Sequence, residues 1–280
     1  MNLLICIIGA GTMGSGIAQI AAQNGFTTLL FDINNEVLDK AKTNIQKSLQ
    51  TLVEKEKISL AESNIIFQRI RFVNNIQHCV ADIFIEAIIE KVEAKVGIFN
   101  QLAAINSKEA IFASNTSSLS ISSIQKEIVE PKRVVGMHFF NPAQIMKLVE
   151  VVKGQQTDEY TAQTIYSLCK QLNKTPVMCK DAPGFIVNRV ARHYYLEAMK
   201  MVELGIATYE NVDTIMEATG FKMGPFKLMD LIGMDINLAV SQSLYDAFEE
   251  ERFKPSSIQI DKVVKGELGI KTGKGFYNYS

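Results

Sequence analysis

Cysteine, which could hold zinc or close a disulfide, is scarce in this sequence. Its 280 residues include four cysteines, Cys6, Cys79, Cys169 and Cys179, none in a Cys-x-x-Cys pair. That excludes a cysteine-based zinc framework and fits a chain kept in a reducing, cytoplasmic compartment. Cys6 falls inside an apolar run and reads as a small core residue. Charge of one sign is lacking too. The formal net charge is −1, so bulk electrostatics gives no reason to expect a nucleic-acid partner. No apolar run approaches the roughly 18 residues of a membrane span, and the N-terminus lacks the charged region of a signal peptide. No membrane partner is expected. Histidine is rare as well, with three in the chain.

What is present is material for a large core. Hydrophobic residues make up 47% of the chain, and its length suits one large domain or two ordinary ones. Leu3 to Ile8 reads as a short buried strand, Thr12 to Gln23 as a helix ended by Gly25, and Thr27 to Phe31 as a second strand. A long polar helix is expected from Asn35 to Lys57. Further strands are expected at Ile83 to Ile89, Ala110 to Ser114 and Val134 to Phe140. Strands alternating with helices predict an α/β fold, a Rossmann-type doubly wound parallel sheet. The texture changes at the loop Lys180-Asp181-Ala182-Pro183-Gly184. After it Ile186 to Glu203, Tyr209 to Thr219, Asn237 to Glu250 and Ile258 to Lys265 all read as helices. Two domains are therefore expected: residues 1–183, α/β, and residues 184–280, all-helical.

Gly9-Ala10-Gly11-Thr12-Met13-Gly14 is a GxGxxG that follows a strand and opens a helix. Gly9 allows the tight turn, Gly11 lets a pyrophosphate approach the backbone, and Gly14 lets the helix pack against the strand. The helix N-terminus, with Thr12 and Met13 in its first turn, presents N–H groups to phosphate. Asp32 closes the second strand, where a carboxylate accepts the adenosine ribose hydroxyls and repels a 2′-phosphate. No arginine follows it, so the expected cofactor is NAD. No metal is expected.

A hydride-transfer enzyme acting on an alcohol also needs a base for the hydroxyl proton. His78 lies in a polar stretch and His193 in a helix beside Arg192. His138 lies in VVGMHFFNPAQIMKLVEVV, between two apolar runs. If those runs pair as an antiparallel hairpin about Asn141 to Lys147, Glu150 falls opposite His138. A glutamate in an apolar strand needs a partner, and such a glutamate would orient the imidazole and offset its charge. A structural pair, with His138 in the core and Glu150 at the surface, is the alternative at this point.

The segments GAGTMGSGIA, IEAIIE, FASNTSSLSI, GMHFFNPAQIMKLVEVV, KDAPGFIVNR, GPFKLMDLIGMD and KTGKGFYNY together resemble the L-3-hydroxyacyl-CoA dehydrogenases, most closely the bacterial 3-hydroxybutyryl-CoA type. The resemblance covers essentially the whole chain. It implies reversible oxidation of an L-3-hydroxyacyl-CoA, with 3-hydroxybutyryl-CoA as the expected substrate, to the 3-ketoacyl-CoA. It implies His138 as acid/base, Glu150 as its dyad partner, and Ser117 and Asn188 around the substrate oxygen. It also implies that Glu90, Lys95, Ser117, Asn141 and Lys271 contact the cofactor. The helical region at about residues 35–70 matches an extension that contacts coenzyme A, with Ser48 and Lys55 in the positions used for it and Lys47 or Lys57 as alternatives to Lys55. The helical C-terminal domain is expected to close the substrate cleft and to form a homodimer. A CoA-independent β-hydroxyacid or sugar-acid dehydrogenase of the same fold is the alternative enzyme, and a non-catalytic NAD-binding protein the alternative class.

Overall fold

The computed structural model of the chain describes residues 3–279 and divides into two compact units, Met1–Asp181 and Ala182–Ser280. The first unit opens with β1 (Leu4–Ile8), α1 (Thr12–Gln23) and β2 (Thr27–Phe31). α2 (Asn35–Glu54), α3 (Leu60–Gln68) and β3 (Ile70–Val73) follow, then β4 (Ile83–Glu86), α4 (Val92–Ile105) and β5 (Ile111–Ser114). α5 (Ile121–Gln125), β6 (Val134–Phe139), β7 (Leu148–Lys153), α6 (Glu159–Gln171) and β8 (Thr175–Lys180) complete it.

The eight strands form one sheet in the order β3-β2-β1-β4-β5-β6-β7-β8. Every neighbouring pair is parallel except β6 and β7. Strands covered on both faces read as continuous apolar runs, as LICII and TTLLF do. Ile5, Ile7, Leu30, Ile83 and Ile85 form the sheet side of the core, against Ile17, Ala18 and Ala21 of α1. α2 lays Leu38, Ala41, Ile45 and Leu49 on the same core at helical spacing. The strand order reverses direction between β1 and β4, which opens a crevice at their C-terminal ends. Both the glycine loop after β1 and Glu86 at the end of β4 stand there.

Several element boundaries differ from the sequence expectation. The long helix after Asp32 stops at Glu54, not Lys57. Glu56 takes a left-handed conformation, φ 54°, and Glu56 N–H and Lys57 N–H turn back to Val53 and Leu52. This is a helix stop without glycine, after which Ser59 and Glu62 cap α3 reciprocally. β4 ends at Glu86 rather than Ile89, because the Glu86 carboxylate accepts Ile88 N–H at 2.7 Å and bends the chain out of the ladder. β3 and β8 were not anticipated. β8 carries Pro176 and lies at the sheet edge, where a missing N–H costs no ladder bond.

The second unit is helical: α7 (Val187–Glu203), α8 (Tyr209–Ala218), α9 (Pro225–Ile232), α10 (Met234–Phe248) and α11 (Ser257–Val264). α9 was not read from the sequence. Tyr195, Met199, Phe226, Met229, Met234 and Phe276 form its core. Two buried aspartates tie down the C-terminal segment. Asp230 accepts Phe276 N–H, Tyr277 N–H and the Tyr279 hydroxyl, each at 2.9 Å. Asp213 accepts Phe226 N–H at 2.8 Å and the Tyr277 hydroxyl at 2.9 Å. Among the described residues no helix is long and apolar enough to cross a membrane.

Candidate active site

The glycine loop has the geometry its three positions require. Gly9 has φ 100°, and a Cβ there would meet the Ala87 carbonyl oxygen at 2.7 Å. A Cβ on Gly14 would lie 1.8 Å from the Gly9 carbonyl oxygen, so α1 packs against the end of β1 with no room for a methyl group. A Cβ on Gly11 would meet nothing within 4 Å. The first and third glycines close the turn, while the middle one faces open space. No side chain caps α1, and its first turn, with Thr12 and Met13, is the kind of helix N-terminus that receives phosphate.

Asp32 is half-buried beyond β2. Its Oδ2 accepts Ala10 N–H at 2.9 Å and its Oδ1 accepts Asn34 N–H at 3.0 Å. The carboxylate that the sequence assigns to a ribose therefore also braces the loop for the pyrophosphate.

Glu90 and Lys95 belong to a buried network that includes two residues the sequence reading missed, Glu86 and Thr116. Glu86 is fully buried. Its carboxylate accepts Lys95 Nζ at 2.7 Å, the Ser114 hydroxyl at 2.6 Å and Ile88 N–H. Lys95, also buried, reaches Glu90 at 3.1 Å. Glu90 Oε1 accepts the Thr116 hydroxyl at 2.5 Å and Ser117 N–H at 3.1 Å. Burial pushes the Glu90 carboxyl up, but Lys95, Thr116 and the Ser117 amide outweigh it and hold the group below the usual carboxylate range. One ammonium thus joins two carboxylates and fixes the backbone of Ser117. The signal for Glu86 was its place as a charge inside the apolar run IFIEAII.

His138 and Glu150 meet across the one antiparallel ladder. The register pairs His138 with Glu150 directly, and His138 Nδ1 lies 2.7 Å from Glu150 Oε2. Both are buried, at 5% and 1% exposure. The His138 ring also packs on Phe140 at 4.5 Å. Nδ1 donating to the carboxylate leaves Nε2 as the acceptor nitrogen of the neutral ring. The turn holding Asn141 follows β6, and Phe139 N–H donates to Asn115 Oδ1 at 2.9 Å, which fixes the strand end.

The domain family described as 3-hydroxyacyl-CoA dehydrogenase, NAD binding domain, matches residues 4–182, and the C-terminal domain of the same family matches residues 184–279. The chain belongs to the 3-hydroxyacyl-CoA dehydrogenase family. It is 43% identical over 278 residues to 3-hydroxyadipyl-CoA dehydrogenase of Escherichia coli, covering 98% of this chain and 58% of that relative's length. It is 41% identical to a probable 3-hydroxybutyryl-CoA dehydrogenase of Deinococcus radiodurans, covering 98% of this chain and 99% of the relative. The crystal structure of (S)-3-hydroxybutyryl-CoA dehydrogenase from Ralstonia eutropha superposes with a TM-score of 0.96 at 38% identity, over 100% of both chains.

The remaining positions named for the 3-hydroxyacyl-CoA dehydrogenase site lie on α2 and on the helical unit. Ser48 is half-buried on α2, and Lys55 is exposed at its C-terminal cap. Asn188 is the second residue of α7, on the helical unit. Lys271, also on that unit, forms an ion pair with Asp235 at 2.5 and 2.6 Å. His193, exposed on α7, packs its ring at a tilt against Phe253, with centroids 5.2 Å apart. His78 is exposed as well. Among the described residues no cluster of histidine, cysteine and carboxylate side chains could hold a metal ion.

Proposed function

We propose that this chain is an NAD-dependent dehydrogenase that interconverts L-3-hydroxyacyl-CoA and 3-ketoacyl-CoA, with 3-hydroxybutyryl-CoA as its substrate. The observation that carries the reading is the buried His138–Glu150 pair, in a unit whose first turn is a dinucleotide loop. The loop suits NAD in three ways. Gly11 leaves space for a diphosphate, α1 opens uncapped toward it, and Asp32 follows β2 with no arginine in the residues directly after it. Gly9, Gly11, Thr12, Met13, Gly14 and Asp32 would hold the adenosine half. Glu90, Lys95, Ser117 and Asn141 would serve the other half. NAD, when bound, supplies the hydride acceptor.

His138 Nε2 takes the substrate hydroxyl proton during oxidation and returns it during reduction. Glu150 fixes the tautomer through Nδ1 and offsets the positive charge the ring acquires. Ser117, whose backbone is fixed by Glu90, orients the reacting oxygen; misplacement of about 1 Å costs on the order of a hundredfold in rate. The roles of Asn188 and Lys271 are proposed on the resemblance alone, as are those of Ser48 and Lys55 toward coenzyme A. A cytoplasmic location is proposed on the scarcity of cysteine.

The deciding experiment follows reduced-cofactor absorbance as the purified protein reduces acetoacetyl-CoA with NADH or NADPH. NADH consumption is expected, at least about tenfold faster than NADPH consumption, since Asp32 repels a 2′-phosphate. No turnover with either, in protein that binds NADH, defeats the reading. A homodimer is proposed on the apolar residues the helical unit exposes, among them Val190, Ile206, Ile236 and Val264. Light scattering is expected to give twice the 31.2 kDa chain mass; a single-chain mass removes the dimer.

A further inference from the structure

Residues 116–120, among them Ser117, lie between β5 and α5 and belong to neither. No sheet ladder holds them, and their course is fixed by side chains. On the upstream side Glu90 accepts Ser117 N–H and the Ser118 hydroxyl, both at 3.1 Å. Thr116 Oγ1 accepts Leu119 N–H at 2.8 Å. On the downstream side stands a second carboxylate. Asp181 Oδ2 accepts the Ser120 hydroxyl at 2.7 Å and Ser122 N–H at 2.8 Å. Ser120 Oγ in turn accepts Ser123 N–H at 3.1 Å and so caps α5.

Asp181 lies 61 positions after Ser120 in the chain and is the residue on which the first unit ends. Its N–H donates to the Lys153 carbonyl oxygen at 2.9 Å and extends the β7–β8 ladder by one residue. The backbone of Asp181 is thus held in the sheet while its carboxylate reaches α5. Hydrogen bonds to an ionised acceptor are about twice as strong as neutral ones, so the sheet has a firm grip on the far end of the Ser117 loop. We propose that Asp181 is a positioning residue for Ser117, clamping with Glu90 both ends of the loop that sets where the Ser117 hydroxyl stands. The inference rests on the dehydrogenase reading above, in which Ser117 orients the reacting oxygen. Without the Asp181 carboxylate, the Ser120 hydroxyl and Ser122 N–H lose their acceptor, and the first turn of α5 is free to shift with the loop that enters it.

A residue that acts through Ser117 has an effect that vanishes when Ser117 is gone, which general loosening of the fold does not. Asp181→Ala is expected to lower kcat for acetoacetyl-CoA by about tenfold, part of the roughly hundredfold that a 1 Å misplacement costs. In Ser117→Ala protein the same replacement is expected to lower kcat by less than about twofold, because coupled residues are not additive. Asp181→Asn, which still offers an oxygen to both donors, is expected to recover most of the rate. Ser120→Ala removes the other half of the contact and covers the case in which Asp181→Ala does not fold; its expected loss is of the same size. An equal loss in the presence and absence of the Ser117 hydroxyl overturns the proposal, as does an unchanged kcat in both Asp181→Ala and Ser120→Ala. Amide hydrogen exchange separates this inference from the activity reading. Exchange across residues 116–120 is expected to be about tenfold faster in Asp181→Ala than in the wild type, with β4 unchanged. That difference supports the clamp even if acetoacetyl-CoA is not turned over, and equal exchange in the two proteins overturns it.

Discussion

Replacement of His138 by glutamine is expected to lower kcat by about 10²–10⁴-fold, the usual worth of a positioned general acid/base, while NADH binding stays near that of the wild type. Glutamine approximates the size of imidazole and can keep a hydrogen bond to Glu150 Oε2, but it cannot carry a proton between substrate and solvent. The dinucleotide loop lies at the end of β1, three strands away from β6 in the sheet order, so the loss falls on the chemical step. Stopped-flow turnover of acetoacetyl-CoA, with NADH affinity measured by fluorescence, checks both parts. Near-normal turnover in the variant would remove His138 from the chemistry and leave the pair as a structural one.

The second large effect concerns stability. Lys95→Met leaves Glu86, at 0% exposure, without its ammonium partner and releases Glu90 as well. Removing one member of a buried ion pair costs about 3–5 kcal/mol, because the remaining charge stays out of water without compensation. The melting temperature is expected to fall on the order of 10 °C. The double variant Lys95→Met with Glu86→Gln should regain part of the loss, since it removes the stranded charge. Scanning calorimetry of the two proteins decides it, and a single variant that melts within a degree of the wild type contradicts the account. Acid should loosen the same network. The Glu90 carboxyl is held below its ordinary value in the fold. Its contribution is therefore complete above the unfolded value of about 4.3 and fades as pH falls through the folded one.

Some of this arrangement could be read from residues in a row, and some could not. α1 and β2 were legible because glycines punctuate both ends of the run from Gly9 to Gly25. The His138–Glu150 pairing was legible because antiparallel register follows from the centre of the turn. β4 was read too long since Ala87, Ile88 and Ile89 continue the apolar run, and nothing local says that Glu86 will capture Ile88 N–H. The break between α2 and α3 was hidden for a related reason: Glu56 takes a backbone conformation that normally signals glycine. The Glu86–Lys95–Glu90 network joins β4, the loop after it, α4 and the end of β5. Contacts across a crossover helix leave no periodic trace.

The hairpin has a consequence for how freely the chain could be rearranged. His138 and Glu150 are separated by twelve positions and lie on strands that pair with each other. Their alignment is set within one continuous stretch, by its own ladder. The order in which the other segments are strung does not enter it. Reopening the backbone of a circularised chain at a surface loop outside this stretch would leave the proton-handling pair covalently whole. The glycine loop and Asp32, by contrast, depend on β1 and β2 entering the sheet with α1 between them. Circular permutation thus divides the site into one portable part and one that tolerates no cut between Gly9 and Asp32.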